Sequence, residues 1–288
     1  MLTNSFWLQI RMIAPYWAGG LIAGSLVSVF LSEKIIGKIA ALASGRFWLI
    51  PLCAASLLGI VSPLCMYGTV PIIAALGKKG IPQRLLASFM VSSILLNPNI
   101  LFLTFVLGIH IALIRLGLSF LGGILAGVLV SFLFREKILF SLERFAAQDT
   151  KPAKPQKKFF SDLFKAFRIT APYLVFGIAL AVLFDGYIPS AWISGMFGAR
   201  RGLGVLFATT LAIPLYVCGG GTIPLINAWM RAGMGTGDAM AFMLAGPAVK
   251  ITNLSAVKMI FSTKNFVFYL IYCIVFAMLC GLIINVIL

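Results

Sequence analysis

Residues 62–80 read SPLCMYGTVPIIAALGKKG, and residues 213–233 read IPLYVCGGGTIPLINAWMRAG. Both carry Cys-x-x-Gly-Thr-(Val/Ile)-Pro, from Cys65 to Pro71 and again from Cys218 to Pro224. Working outward, Cys65, Gly68, Thr69, Pro71, Lys78, Gly80 and Phe89 meet Cys218, Gly221, Thr222, Pro224, Arg231, Gly233 and Phe242 at a constant offset of 153. RMIAPY at 11–16 returns as RITAPY at 168–173. Self-similarity at a fixed spacing is the mark of duplication. A gapless run that keeps Cys, Thr, Pro, a basic residue and Gly in order goes beyond chance matching of common membrane residues. The chain therefore reads as a first repeat, 1–134, a basic linker, 135–167, and a second repeat, 168–288.

Composition states the medium in which these repeats fold. Of 288 residues, 61% are hydrophobic and 10% charged, and the mean hydropathy is +1.07, whereas soluble domains carry about 25% charged residues. Apolar runs of the length a helix needs to cross a bilayer, about 20 residues, recur at 13–31, 85–107, 111–134, 171–188 and 265–288. They are apolar on every face, without the period-2 alternation of an outer-membrane barrel. An all-α polytopic membrane protein is expected, in the inner (plasma) membrane of a prokaryote.

The net charge of +16 does not point to nucleic acid, because nine of the 23 basic residues fall between Arg135 and Arg168. By the positive-inside rule that linker is cytoplasmic, and it can touch anionic lipid heads. The N-terminus lacks the charged region and cleavage site of a signal peptide, so Met1 onward is expected in the mature protein. Five crossings per repeat, in the first at 12–31, 47–62, 64–77, 85–108 and 111–134, put Lys34, Lys38, Arg46, Lys78, Lys79 and Arg84 on the linker's side. An odd count inverts the second repeat and leaves both termini outside. If the short segments re-enter instead, eight crossings and parallel repeats result.

The repeated motif is short and interrupted. Segments 64–77 and 219–230 would rise roughly 18 to 21 Å as helix, too little for a hydrocarbon core of about 30 Å. Pro71 and Pro224 remove backbone donors, and Gly68, Gly219, Gly220 and Gly221 permit unwound backbone. Such backbone survives at membrane depth only against protein or a water-filled cavity. Paired broken helices in corresponding positions of two repeats point to a transporter's midplane site. Each copy is thus expected to supply half of a central substrate pathway, with Thr69 and Thr222 answering freed carbonyls or meeting substrate. Cys65 and Cys218 offer soft thiols to a thiophilic species, or pack as small apolar residues. Asn97 and Asn253 are expected to hydrogen-bond between spans or to face substrate.

Lys250 lies near the middle of a span from about 238 to 258. Lysine there costs at least about 2.5 to 3.5 kcal/mol on insertion scales and defaults to function. All seven acids read as loop or span-end residues, so Lys250 is expected to meet helix-break carbonyls, a thiolate or an anionic substrate, or to be neutral through desolvation. A lysine that snorkels to the interface is the alternative.

On PLCMYGTVPIIAALGKKGIPQRLLASFMVSSILLNPN and IPLYVCGGGTIPLINAWMRAGMGTGDAMAFMLAGPAVKITN the chain resembles the predicted-permease family that includes the organoarsenical efflux permease ArsP and the YraQ proteins. The wording IPLYVC at 213–218 and AGPA at 245–248 is fairly specific to it, and the likeness covers both halves and excludes the linker. The resemblance implies a multi-span inner-membrane permease, with efflux of trivalent methylated arsenicals or soft metals in some members. The family's first motif often reads Cys-Ser-Cys, and here Cys65-Met66-Tyr67 keeps one thiol.

No Walker A, HExxH or GxSxG pattern occurs, and the cysteines have no zinc-like spacing. No resident metal, cofactor or catalytic site is expected. The expected partners are a small-molecule or ion substrate and membrane lipid, with secondary or facilitated transport as the function. An intramembrane enzyme or a non-transporting scaffold subunit is the alternative.

Overall fold

The computed structural model describes residues 48–62, 64, 66–134, 139–141, 203–216, 222–231 and 233–287, with isolated positions within 7–22 and 159–175. The described residues form ten α-helices: α1 (Leu49–Val61), α2 (Met66–Lys78), α3 (Gln83–Leu95), α4 (Pro98–Thr104), α5 (Ile109–Leu133), α6 (Leu203–Leu215), α7 (Thr222–Arg231), α8 (Thr236–Val249), α9 (Ile251–Ile260) and α10 (Thr263–Ile287). A 3-10 turn, Phe105–Leu107, extends α4. The described residues are nearly all helical, as the uniformly apolar runs imply. Helix starts recur 153 or 154 residues apart: 83 and 236, 98 and 251, 109 and 263.

Three runs of 25 residues, Gln83–Leu107, Ile109–Leu133 and Thr263–Ile287, are long and apolar enough to cross a bilayer. Thr236–Val249 with Ile251–Ile260 makes a fourth, bent by 47°. Helices α3 and α8 form the centre, and every residue from Gly237 to Val249 is buried. Helices α5 and α10 flank them. Their outer stripes, Leu121, Leu125 and Leu129, and Ile271, Val275, Leu279 and Ile283, are exposed at four-residue spacing, a face for lipid. Their inner faces are small: a Cβ on Gly237 would stand 2.2 Å from the Gly281 carbonyl oxygen. Without water to drive apolar burial, membrane helices gain association energy from such close backbone approach.

The ends of the helices are tied by side chains. Leu139 N–H donates to Gln83 Oε1 at 2.6 Å, and Asn265 Nδ2 donates to the Leu139 carbonyl at 2.7 Å. These bonds gather the starts of α3 and α10 around the first residues of the linker. At the opposite end of α10, Asn285 Oδ1 accepts from Gly237 N–H and Asn285 Nδ2 donates to Asp238 Oδ1, both at 2.9 Å. Helix α3 thus starts where α10 starts, whereas α8 starts where α10 ends. Between the halves, α2 packs on α9 and α7 on the 3-10 turn after α4.

Two spans read as continuous are interrupted. The run expected at 85–108 leaves helical geometry at Leu96 and Asn97, and the span expected at 238–258 does so at Lys250. Conversely, α2 runs unbroken from Met66 to Lys78 through Gly68 and Pro71. Its neighbours bury it from Met66 to Ala75, and such packing lets a membrane helix tolerate proline.

Candidate functional site

The bend at Lys250 follows from the residues around it. Pro247 has no N–H, so the carbonyl of Met243, four residues earlier, loses its helical donor. Arg115 Nη2, on α5, donates to that carbonyl at 3.0 Å. Lys250 then takes an extended backbone, φ −56° and ψ 142°, which frees further carbonyls. Asn253 Nδ2 donates to the Pro247 carbonyl, and the Tyr269 hydroxyl donates to Ala248 at 3.1 Å. From α2, the Tyr67 hydroxyl donates to the Thr252 carbonyl at 2.6 Å and lies 2.8 Å from Ser255 Oγ. A break at membrane depth persists because side chains from α5, α9 and α10 answer the backbone it exposes, while Tyr67 of α2 anchors the first turn of α9 beyond it.

Lys250 is 3% exposed at this break, buried among the packed helices. It is the N-cap residue of α9 but makes no capping hydrogen bond to that helix. Its counterpart 153 residues earlier is Asn97, N-cap of α4, whose Oδ1 accepts from Ile100 N–H at 2.9 Å. Pro98 occupies the first turn, where its missing donor costs nothing. The two breaks are equivalent in position and opposite in chemistry: an acceptor caps one, and a cation stands at the positive end of the other helix. Asn97 and Asn253 both bond within their own broken span, so the expected interhelical bonds are replaced by local repair.

Of the other expected site residues, Thr69 Oγ1 is fully buried, 3.3 Å from Ser93 Oγ on α3. Gly68 and Pro71 are buried in the body of α2. Thr222 opens α7 and is buried, with Pro224 in its first turn, where proline is tolerated. Cys65, Cys218, Gly219, Gly220 and Gly221 lie outside the described residues. Tyr216 of IPLYVC meets Gly246 of AGPA. A Cβ on Gly246 would stand 1.9 Å from Tyr216 Cδ2, so the glycine is needed for the tyrosine ring to lie on α8.

Arg115 is the site residue that sequence reasoning missed. It is fully buried, six residues into α5, a depth that reads as a span edge when boundaries are uncertain by a few residues. Nη1 donates to Thr104 Oγ1 at 2.8 Å, and the Tyr216 hydroxyl faces the guanidinium. A proline four residues after a buried carbonyl, and a cation inside an apolar run, were the signals available.

Sequence comparison places this geometry among known proteins. The chain is 26% identical over 285 residues to the UPF0718 protein YcgR of Bacillus subtilis, covering 96% of this chain and 95% of that one. It is 27% identical over 263 residues to a putative two-component membrane permease complex subunit of Streptococcus mutans, covering 87% and 83%. The UPF0718 protein YraQ of Escherichia coli is 27% identical over 264 residues, covering 85% and 69%. No solved structure matches the chain. The predicted permease family ArsP_1 matches residues 8–286. With that match across both halves and helices fit to cross a bilayer, this chain, a multi-pass plasma-membrane protein, belongs to the ArsP_1 family of predicted permeases.

Proposed function

We propose that the chain moves a small solute, thiophilic or anionic, between its two broken spans by secondary or facilitated transport. The observation that carries this reading is the buried Lys250 at a 47° bend whose carbonyls are held by Arg115 from the first half and by Asn253 and Tyr269 from the second. Discontinuous helices at a repeat interface are how many transporters build a midplane site. We read the halves as an inverted duplication of five crossings each; the opposite end contacts of α3 and α8 support it. The pathway is assigned Cys65, Gly68, Thr69, Pro71 and Asn97 from the first half. Cys218, Gly219, Gly220, Gly221, Thr222, Pro224, Lys250 and Asn253 come from the second.

Purified chain in liposomes, with no added enzyme, tests this reading through entry or loss of soft-metal compounds and of small labelled anions. Flux above protein-free vesicles is expected. Absence of flux for both classes would overturn it. Among transported solutes, loss of thiophilic flux alone in Cys65→Ser and Cys218→Ser variants would assign the thiols to substrate; full retention would make them packing residues. The Streptococcus mutans relative is named as a subunit of a two-component complex, which favours a second reading in which flux needs a partner membrane subunit. Flux that appears only on co-reconstitution with that subunit would establish it.

A further inference from the structure

We propose that the solute of this pathway is a small anion and that Arg115 is the fixed cation that selects it. The inference rests on the permease reading above and narrows its solute class. A guanidinium stays charged at any physiological pH, and Arg115 is wholly buried within an apolar helix. The partners found for it are all neutral: the Thr104 hydroxyl, the Met243 carbonyl and the Tyr216 hydroxyl. The first two bind its N–H groups, and neither offsets its charge. Its Nε is buried with no hydrogen-bond partner. The one carboxylate among the described residues, Asp238, is engaged with Asn285 at the far end of α8. An ionised side chain buried without a counter-charge is among the most costly arrangements a protein can hold, and inside a membrane such groups mark ion and substrate pathways.

The surroundings of Arg115 fit an anion and no other charge class. Met243, whose carbonyl Arg115 holds, and Gly246, on which the Tyr216 ring lies, stand at i and i+3 of α8, and Lys250, the residue just past its end, follows at i+7. That spacing keeps them on one side of the helix over roughly 10 Å. Lys250 opens α9, whose N-terminus carries positive partial charge. Two residues on, Thr252 Oγ1 is buried with no hydrogen-bond partner. An anion moving along this side of α8 would exchange water for a guanidinium, an ammonium and hydroxyl donors. A cation would be repelled by both charges, and a neutral solute would leave the guanidinium uncompensated.

Thermal unfolding of the purified full-length chain, titrated with sodium sulfate, phosphate, nitrate and acetate, tests the proposal. Ionic strength is held constant with bulky gluconate, and acetamide serves as the neutral counterpart of acetate. At least one of the four anions is expected to stabilise the wild type saturably, with acetamide inert. Arg115→Gln should weaken that anion at least about tenfold, the loss of one charge-assisted contact, and Arg115→Lys should weaken it less. Wild type that responds to no anion beyond the gluconate baseline overturns the proposal, whether or not the variants fold. So does Arg115→Gln that binds the anion as wild type does, or acetamide that stabilises as well as acetate. Liposome flux keeps the two readings apart. Saturable anion binding without transport leaves the anion site standing and removes the permease reading. Transport of a neutral thiophilic solute, unaffected by anions and by Arg115→Gln, does the reverse.

Discussion

Lys250 and Asn97, 153 residues apart, each precede the helix that follows a break, and only the Asn97 side chain accepts a hydrogen bond from that helix. Replacing Lys250 by Met keeps the apolar stem and removes the ammonium, so folded yield should hold while flux of the transported solute falls about tenfold or more. Lys250→Arg should restore only part of it, because a forked guanidinium does not reproduce a compact charge. Near-wild-type flux from Lys250→Met, measured in liposomes, would remove the residue from the pathway. Gly246 carries a structural prediction instead. Gly246→Ala drives a methyl into the Tyr216 ring and should destabilise by about 1 to 3 kcal/mol, the usual range for overpacking. Thermal unfolding checks this, and a Tyr216→Ala background should relieve most of the effect. At this scale Lys250 was legible because a charge in an apolar run is expensive in any register. Arg115 was not, because its significance depends on depth, and depth follows from packing.

The elements bend where backbone donors and acceptors fall out of step. Pro247 withholds the N–H that Met243 would accept from, and Arg115 supplies the replacement. Pro247→Ala returns an intrahelical donor to Met243. Amide hydrogen exchange should then show stronger protection from 247 to 251, and flux should fall, about tenfold if the bend shapes the site. Unchanged exchange would place the cause of the bend at Lys250 alone. Asn97-Pro98 carried a helix-start signature, a capping residue followed by proline at the first turn, yet its apolar flanks read as one span. Segment 64–77 was expected to be unwound, and its described part is helical because neighbours bury it from Met66 to Ala75. Proline and glycine state where a helix can yield. Whether it does depends on which side chains arrive to hold the released carbonyls.

Across the whole molecule, the linker contacts fix which helix ends lie together. Cysteine-accessibility labelling in a background without native cysteines should find Lys154 on the cytoplasmic side, a residue added beyond Leu288 outside, and Gln83 and Asn265 on the linker's side. Termini labelled from the cytoplasm would replace the inverted reading by eight crossings and parallel repeats. The sequence by itself determined the medium and the all-α class, since these rest on composition and span length, which survive any arrangement in space. It also marked Lys250. Only the tertiary structure decided that α8 bends there, that Tyr216 lies on Gly246, and that Arg115 reaches a carbonyl on α8 128 residues along the chain. The physical reason is that a membrane helix is specified locally by its apolarity, whereas the fate of an unpaired carbonyl or a buried charge is set by partners remote in sequence, brought near only when the helices pack.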